Sequence, residues 1–144
     1  MRLIPAFAFT LLMTLSLSAF AQQAERFGPY EIHYSTLNTS MLSPEIAAAY
    51  GIQRAGTQAM LNVTVLEKAS GQPRTATIEA TATNLTGQRR DIELREINDQ
   101  GAIYYIGQFR IHDEETLDFR ISVRPHNHEG APYVITFRQQ FFTG

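Results

Sequence analysis

From Tyr30 onward, apolar residues recur at every second position, the period of a strand that turns one face to a core and the other to water. Tyr30, Ile32 and Tyr34 alternate with Glu31, His33 and Ser35. Ala59, Leu61, Val63 and Val65 alternate with Met60, Asn62, Thr64 and Leu66. Both faces of that stretch are partly apolar, which predicts a central strand. Ala76, Ile78, Ala80 and Ala82 interleave with Thr75, Thr77, Glu79, Thr81 and Thr83, and Ile92 and Leu94 interleave with charges. Ile103, Tyr105, Phe109 and Ile111 share a face, Leu117, Phe119, Ile121 and Val123 share another, and a last strand is predicted over 133–142. Turn residues separate these runs at 69–73, 84–87, 98–101 and 113–115. About seven strands at even spacing predict an all-β fold, an immunoglobulin-like antiparallel β-sandwich.

One stretch breaks the period. Ser43 suits a helix cap, Pro44 the first helical position, Glu45 the positive end of the dipole, and Gly51 the left-handed residue beyond the end. One short helix is therefore predicted over 43–50, between the first two strands. It lies in a connection of about 20 residues, where a hairpin loop takes roughly 2–5. Ordering so long a connection is costly unless it packs or binds. It either covers one open end of the core or meets a partner, with Tyr50 and Arg54 as anchors, residue types favoured at interface hot spots.

The N-terminus follows a different rule. Residues 1–21 read MRLIPAFAFTLLMTLSLSAFA, a short basic start, an apolar run and an Ala-Phe-Ala end, followed by Gln22-Gln23. This is the form of a secretory signal peptide cleaved after Ala21. The apolar run is shorter than the roughly 20 residues of a spanning helix, and no basic stop-transfer cluster follows. A membrane barrel is disfavoured because a lipid-facing band must be apolar on strand after strand, whereas here one face carries Thr, Glu, Asp and Arg. The remaining 22–144 are read as a single domain.

Composition narrows the chemistry. The chain of 144 residues has no cysteine, so disulfides, thiol nucleophiles and cysteine-held metals are excluded. Its net charge of -2 argues against a nucleic-acid partner. There is no Gly-x-Ser-x-Gly elbow, phosphate-binding glycine loop or His-Glu-x-x-His. No enzyme and no cofactor are expected.

Residues 43–66, SPEIAAAYGIQRAGTQAMLNVTVL, combine a Pro-Glu helix start with Ala-Tyr-Gly-Ile-Gln-Arg at 49–54 and Asn-Val-Thr-Val-Leu at 62–66. Asn-Leu-Thr-Gly at 84–87 and Phe-Arg-Gln-Gln-Phe at 137–141 follow. In these blocks the chain resembles domain-of-unknown-function family 4426, small secreted proteins of Gram-negative bacteria. The resemblance spans the chain after the signal segment. It implies a periplasmic location and supplies no activity and no catalytic residues.

The sharpest chemical feature is His126-Asn127-His128, two imidazoles in a bent loop that His112 or Asp113 would extend to a third ligand if the loops share an end. A polar hairpin connection is the simpler account. Asp113, Glu114 and Glu115 read as a solvated turn rather than a calcium or acid–base site. The threonines of 75–83 read as an ordinary solvent face. The expected protein is a periplasmic, non-catalytic binding or structural module for a protein or envelope partner. The alternative is a copper or zinc binder using His126, His128 and His112.

Overall fold

A computed structural model of the chain describes residues 22–144. The segment predicted to be a signal peptide, residues 1–21, lies outside the described residues. The strands are β1 (Gln23–Phe27), β2 (Tyr30–Asn38), β3 (Gln58–Glu67), β4 (Ala76–Asn84), β5 (Arg89–Ile92), β6 (Arg95–Asp99), β7 (Ala102–Arg110), β8 (Glu115–Pro125) and β9 (Tyr133–Phe141), with one helix, α1 (Pro44–Ala49). They form two antiparallel sheets, of order β1-β2-β3-β7-β6 and β5-β4-β8-β9. An all-β sandwich is what the period-two pattern predicts.

Two expectations about the strands need correction. There are nine described strands rather than about seven. β1, with the sequence Gln-Ala-Glu-Arg-Phe, has no apolar stripe of its own and stays mostly exposed. Its pairing with β2, from Gln23↔Tyr34 to Phe27↔Tyr30 around Gly28 at φ 52°, holds it as a strand. The helix therefore lies between the second and third strands rather than the first two. The run around Ile92 and Leu94, read as one strand, is two. β5 pairs with β4 and β6 with β7, so the chain changes sheets at Glu93-Leu94.

The core fills the space between the sheets. Ile32, Leu61, Val63, Val65 and Phe109 from one sheet meet Ala82, Leu117, Phe119, Ile121, Val123, Ile135 and Phe141 from the other, with Ile111 just beyond β7 in the same core. Phe119 stacks on Phe137 with ring centres 4.6 Å apart and meets Phe109 edge-on at 5.3 Å. Polar ties lock the layers. The Tyr105 hydroxyl on β7 donates to Glu96 Oε1 at 2.7 Å and accepts from the Ala76 N–H of the opposite sheet at 2.9 Å. Burial, with Glu96 beside it, pushes that phenol up to about 12. Arg90 on β5 makes a bidentate pair with Glu115, 2.7 Å on each arm, which fastens an edge strand to the start of β8.

A second, smaller apolar cluster lies on the outer face of the five-stranded sheet. Ala47 and Ile52 from the α1 segment pack on Met60 and Ile106, with Leu37, Leu42, Tyr50, Ile97 and Tyr104 at its margin. The long connection is thus a cover over a sheet face and not over an open end of the core. Its capping follows the sequence. Ser43 Oγ accepts from the Ile46 N–H at 3.2 Å, Pro44 opens the helix, and Gly51 takes φ 66° beyond its end.

Candidate functional site

The three candidate metal-ligating histidines do not converge. His112 precedes β8, and His126 and His128 follow it. That strand has 11 residues, which sets the two ends roughly 35 Å apart at ~3.3 Å per residue. His126 is exposed, and its backbone N–H donates to Thr75 O at 2.8 Å. The His128 ring stacks on Tyr133 at 4.6 Å, meets Tyr30 edge-on at 6.4 Å and lies with Nε2 3.1 Å from Ala131 O. His128 thereby joins an aromatic column, Phe27–Tyr133–His128, that bridges the edges of the two sheets. The fourth histidine, His33, is 3.1 Å from Glu31. No group of three or more His, Asp or Glu side chains is close enough to hold a metal among the described residues.

The acidic turn has structural employment. Asp113 Oδ1 accepts from the Thr143 N–H, Glu114 O from Gln140 Nε2, and Glu115 pairs with Arg90. The Arg90 guanidinium holds the Glu115 carboxyl below its ordinary value against the opposing effect of burial. The Thr81 and Thr83 positions lie opposite Arg120 and Asp118 on a mixed polar face.

The α1 segment is where geometry and candidate residues meet. Thr39, fully buried, anchors its entry. Its hydroxyl lies 3.1 Å from both Ala55 O and Gln58 O and accepts from the Ala55 N–H at 3.0 Å. Arg54 is exposed and donates to Ser40 O at 3.0 Å, closing the same loop. Tyr50 is half-buried. Its hydroxyl donates to Asp99 Oδ2 at 3.1 Å, its carbonyl accepts from Arg95 at 2.7 Å, and its ring lies 6.2 Å from Tyr104. Burial and the Asp99 carboxylate raise its phenol above the ordinary value. Met41 and Ile46 stand 62% and 47% exposed beside it.

Between α1 and the sheet runs a cleft of about 300 Å³, lined by apolar side chains such as Ile46, Met60, Tyr104 and Ile106 and also by Ser35 and Asn62. Asn62 Oδ1 is out of contact with solvent and has no hydrogen-bond partner among the described residues. Larger hollows among the described residues carry charged linings, Asp91, Glu93 and Arg95 in one and Arg89, Asp118 and Arg138 in another. The alternation that marks Asn62 as a polar position on a partly apolar face was its only sign in the sequence.

The family model described as Domain of unknown function (DUF4426) matches residues 24–144. The chain belongs to the DUF4426 family. A family member from Pseudomonas aeruginosa PAO1 is similar in structure, with 36% identity and a TM-score of 0.74 over 84% of this chain and 94% of that one. FetP of uropathogenic Escherichia coli strain F11, expressed in the periplasm, shares the fold at 13% identity and TM-score 0.62 over 86% and 95% of the two chains. A variant of FetP has been obtained copper-bound. Copper-reconstituted P19 of Campylobacter jejuni aligns at 11% identity and TM-score 0.53 over 85% and 94%. No curated protein matches the sequence. No helix among the described residues is long and apolar enough to cross a membrane.

Proposed function

We propose that this chain is a non-catalytic binding module of the bacterial periplasm, an immunoglobulin-like sandwich that meets a protein or envelope partner through the α1 cover. The carrying observation is that this cover is firmly anchored yet leaves large apolar side chains, Met41 and Ile46, in solvent beside Tyr50. Fixed apolar surface of this kind is costly to keep exposed and is the usual mark of an interface. Tyr50 and Arg54 flank it, tied down by Asp99 and Ser40, so their side chains are already ordered for contact. The signal-like N-terminus supports export. The test is capture from envelope extracts by the purified protein, with the captured protein identified, purified and rebound. Tyr50→Ala and Arg54→Ala are expected to weaken that rebinding at least tenfold with unchanged circular dichroism. Equal rebinding by both variants overturns the reading.

A second reading, copper binding, is favoured by the copper-bound fold neighbours FetP and P19. In this chain it rests on His126 and His128, since His112 stands at the other end of β8. Metal content of the purified protein, with and without His126→Ala, decides it. Stoichiometric copper that the substitution abolishes promotes this reading over the first.

A further inference from the structure

We propose that the cleft between α1 and the five-stranded sheet binds a small neutral carbonyl compound, an aliphatic chain carrying an ester or amide, through its carbonyl oxygen. This goes beyond the partner reading to a second class of ligand, held by other residues, Asn62 and Ser35. The two stand directly opposite each other on β3 and β2, and both line the cleft. Leu61 and Val63, on either side of Asn62, turn into the main core, so the alternation of the strand puts the Asn62 side chain on the outer face, where the cleft lies.

The Asn62 amide has one usable end. Its Oδ1 is closed to solvent and out of reach of any ligand, so the end left accessible in the cleft is the Nδ2 donor. Nδ2 and the Ser35 hydroxyl are both free of hydrogen bonds to the described residues, which gives the cleft two adjacent neutral donors. Donors in apolar surroundings are complemented by an acceptor. No charged side chain lines the cleft, and the Tyr50 hydroxyl beside it is already held by the Asp99 carboxylate. A carboxylate entering there would lose its hydration with no cation to replace it and with Asp99 to repel it, whereas a neutral carbonyl gives up far less. Leu37, Ile46, Tyr104 and Ile106 match the aliphatic chain. The volume of about 300 Å³ takes about ten non-hydrogen atoms, at the ~30 Å³ that a water occupies in the liquid, which is the size of methyl hexanoate.

The probes are methyl hexanoate and hexanoate, titrated at pH 7 into the isotope-labelled exported protein and followed by its backbone and side-chain amide resonances. The expected result is saturable shifts at Leu37 and Tyr104 and at the side-chain N–H pair of Asn62, with the ester bound at least about tenfold more tightly than the carboxylate. Asn62→Asp keeps the size of the side chain and replaces its donor with a charged acceptor. It is expected to weaken the ester about tenfold. Ile46→Asp, at a lining residue that is 47% exposed, is expected to weaken it as well and leaves the main core alone. The shift of the Asn62 side-chain N–H pair is read in the parent protein and does not depend on either variant folding. No saturable shift at that pair, hexanoate bound as tightly as the ester, or ester binding undiminished in both variants overturns the proposal. The titration uses the purified protein with no partner present, so a failure here leaves the partner reading untouched.

Discussion

Gly107→Ala adds one methyl group to the protein at the place where its two sheets are joined by a crossing chain. Gly107 is buried in β7, and the segment that leaves β5 for β6 passes directly over it. A Cβ at this position would overlap the Glu93 carbonyl oxygen and lie 2.8 Å from Ile92 Cγ2 and 2.9 Å from Leu94 Cδ2. The side chains can turn aside, but the carbonyl is backbone in the crossing itself. To reach the ~3.3 Å at which carbon and carbonyl oxygen ordinarily meet, the crossing must withdraw by roughly an ångström. Overpacking of this kind costs about 1–3 kcal/mol, and a rigid obstacle puts it at the upper end. Alanine returns roughly 0.5–1 kcal/mol through its lower chain entropy in a strand. The net loss is about 2 kcal/mol, read in urea unfolding as a midpoint about 1 M lower at a slope near ~2 kcal/mol/M. Leu94→Ala in the same chain should restore little, because it removes only a side chain. A midpoint within about 0.2 M of the parent, or full rescue by Leu94→Ala, would refute the account of Gly107 as a backbone crossing point.

Thr39→Val keeps the shape of a fully buried residue and removes the hydroxyl that serves Ala55 and Gln58. It is expected to lower stability by about 2 kcal/mol, and the Ala55 amide should lose hydrogen-exchange protection before the core strands do. Glu115→Gln breaks the bidentate pair with Arg90 and should cost about 1.5–3 kcal/mol at neutral pH. Because Arg90 lowers the folded carboxyl below the ordinary 4.5, the Glu115 contribution is present above that value and lost as pH falls through the folded one. The difference in urea midpoint between parent and variant should therefore shrink on acidification below pH 4.5; a gap independent of pH would show that the charge pair contributes nothing.

Much of the sandwich was legible in the sequence because a strand with one face buried advertises itself in every second residue. β3, β4, β7, β8 and β9 fall where the alternation predicts, and Phe119, Ile121 and Val123 are buried as their spacing requires. The α1 cap was equally legible, since Ser43, Pro44 and Gly51 act through backbone chemistry within one turn. β1 escaped notice because its own residues bury little and its conformation is imposed by hydrogen bonds to β2. The break at Glu93-Leu94 escaped for a related reason. Local alternation runs through it, and only partners on two different sheets separate β5 from β6. The candidate sites divide along the same line. His126 and His128 are neighbours by sequence alone, whereas the distance to His112 is set by the length of β8. The burial of Asn62 Oδ1 without a partner depends on tertiary packing, not on its neighbours in the chain. Period, caps and turns are local and are written in the sequence; which faces meet, and which polar atom they leave without a partner, follow only from packing.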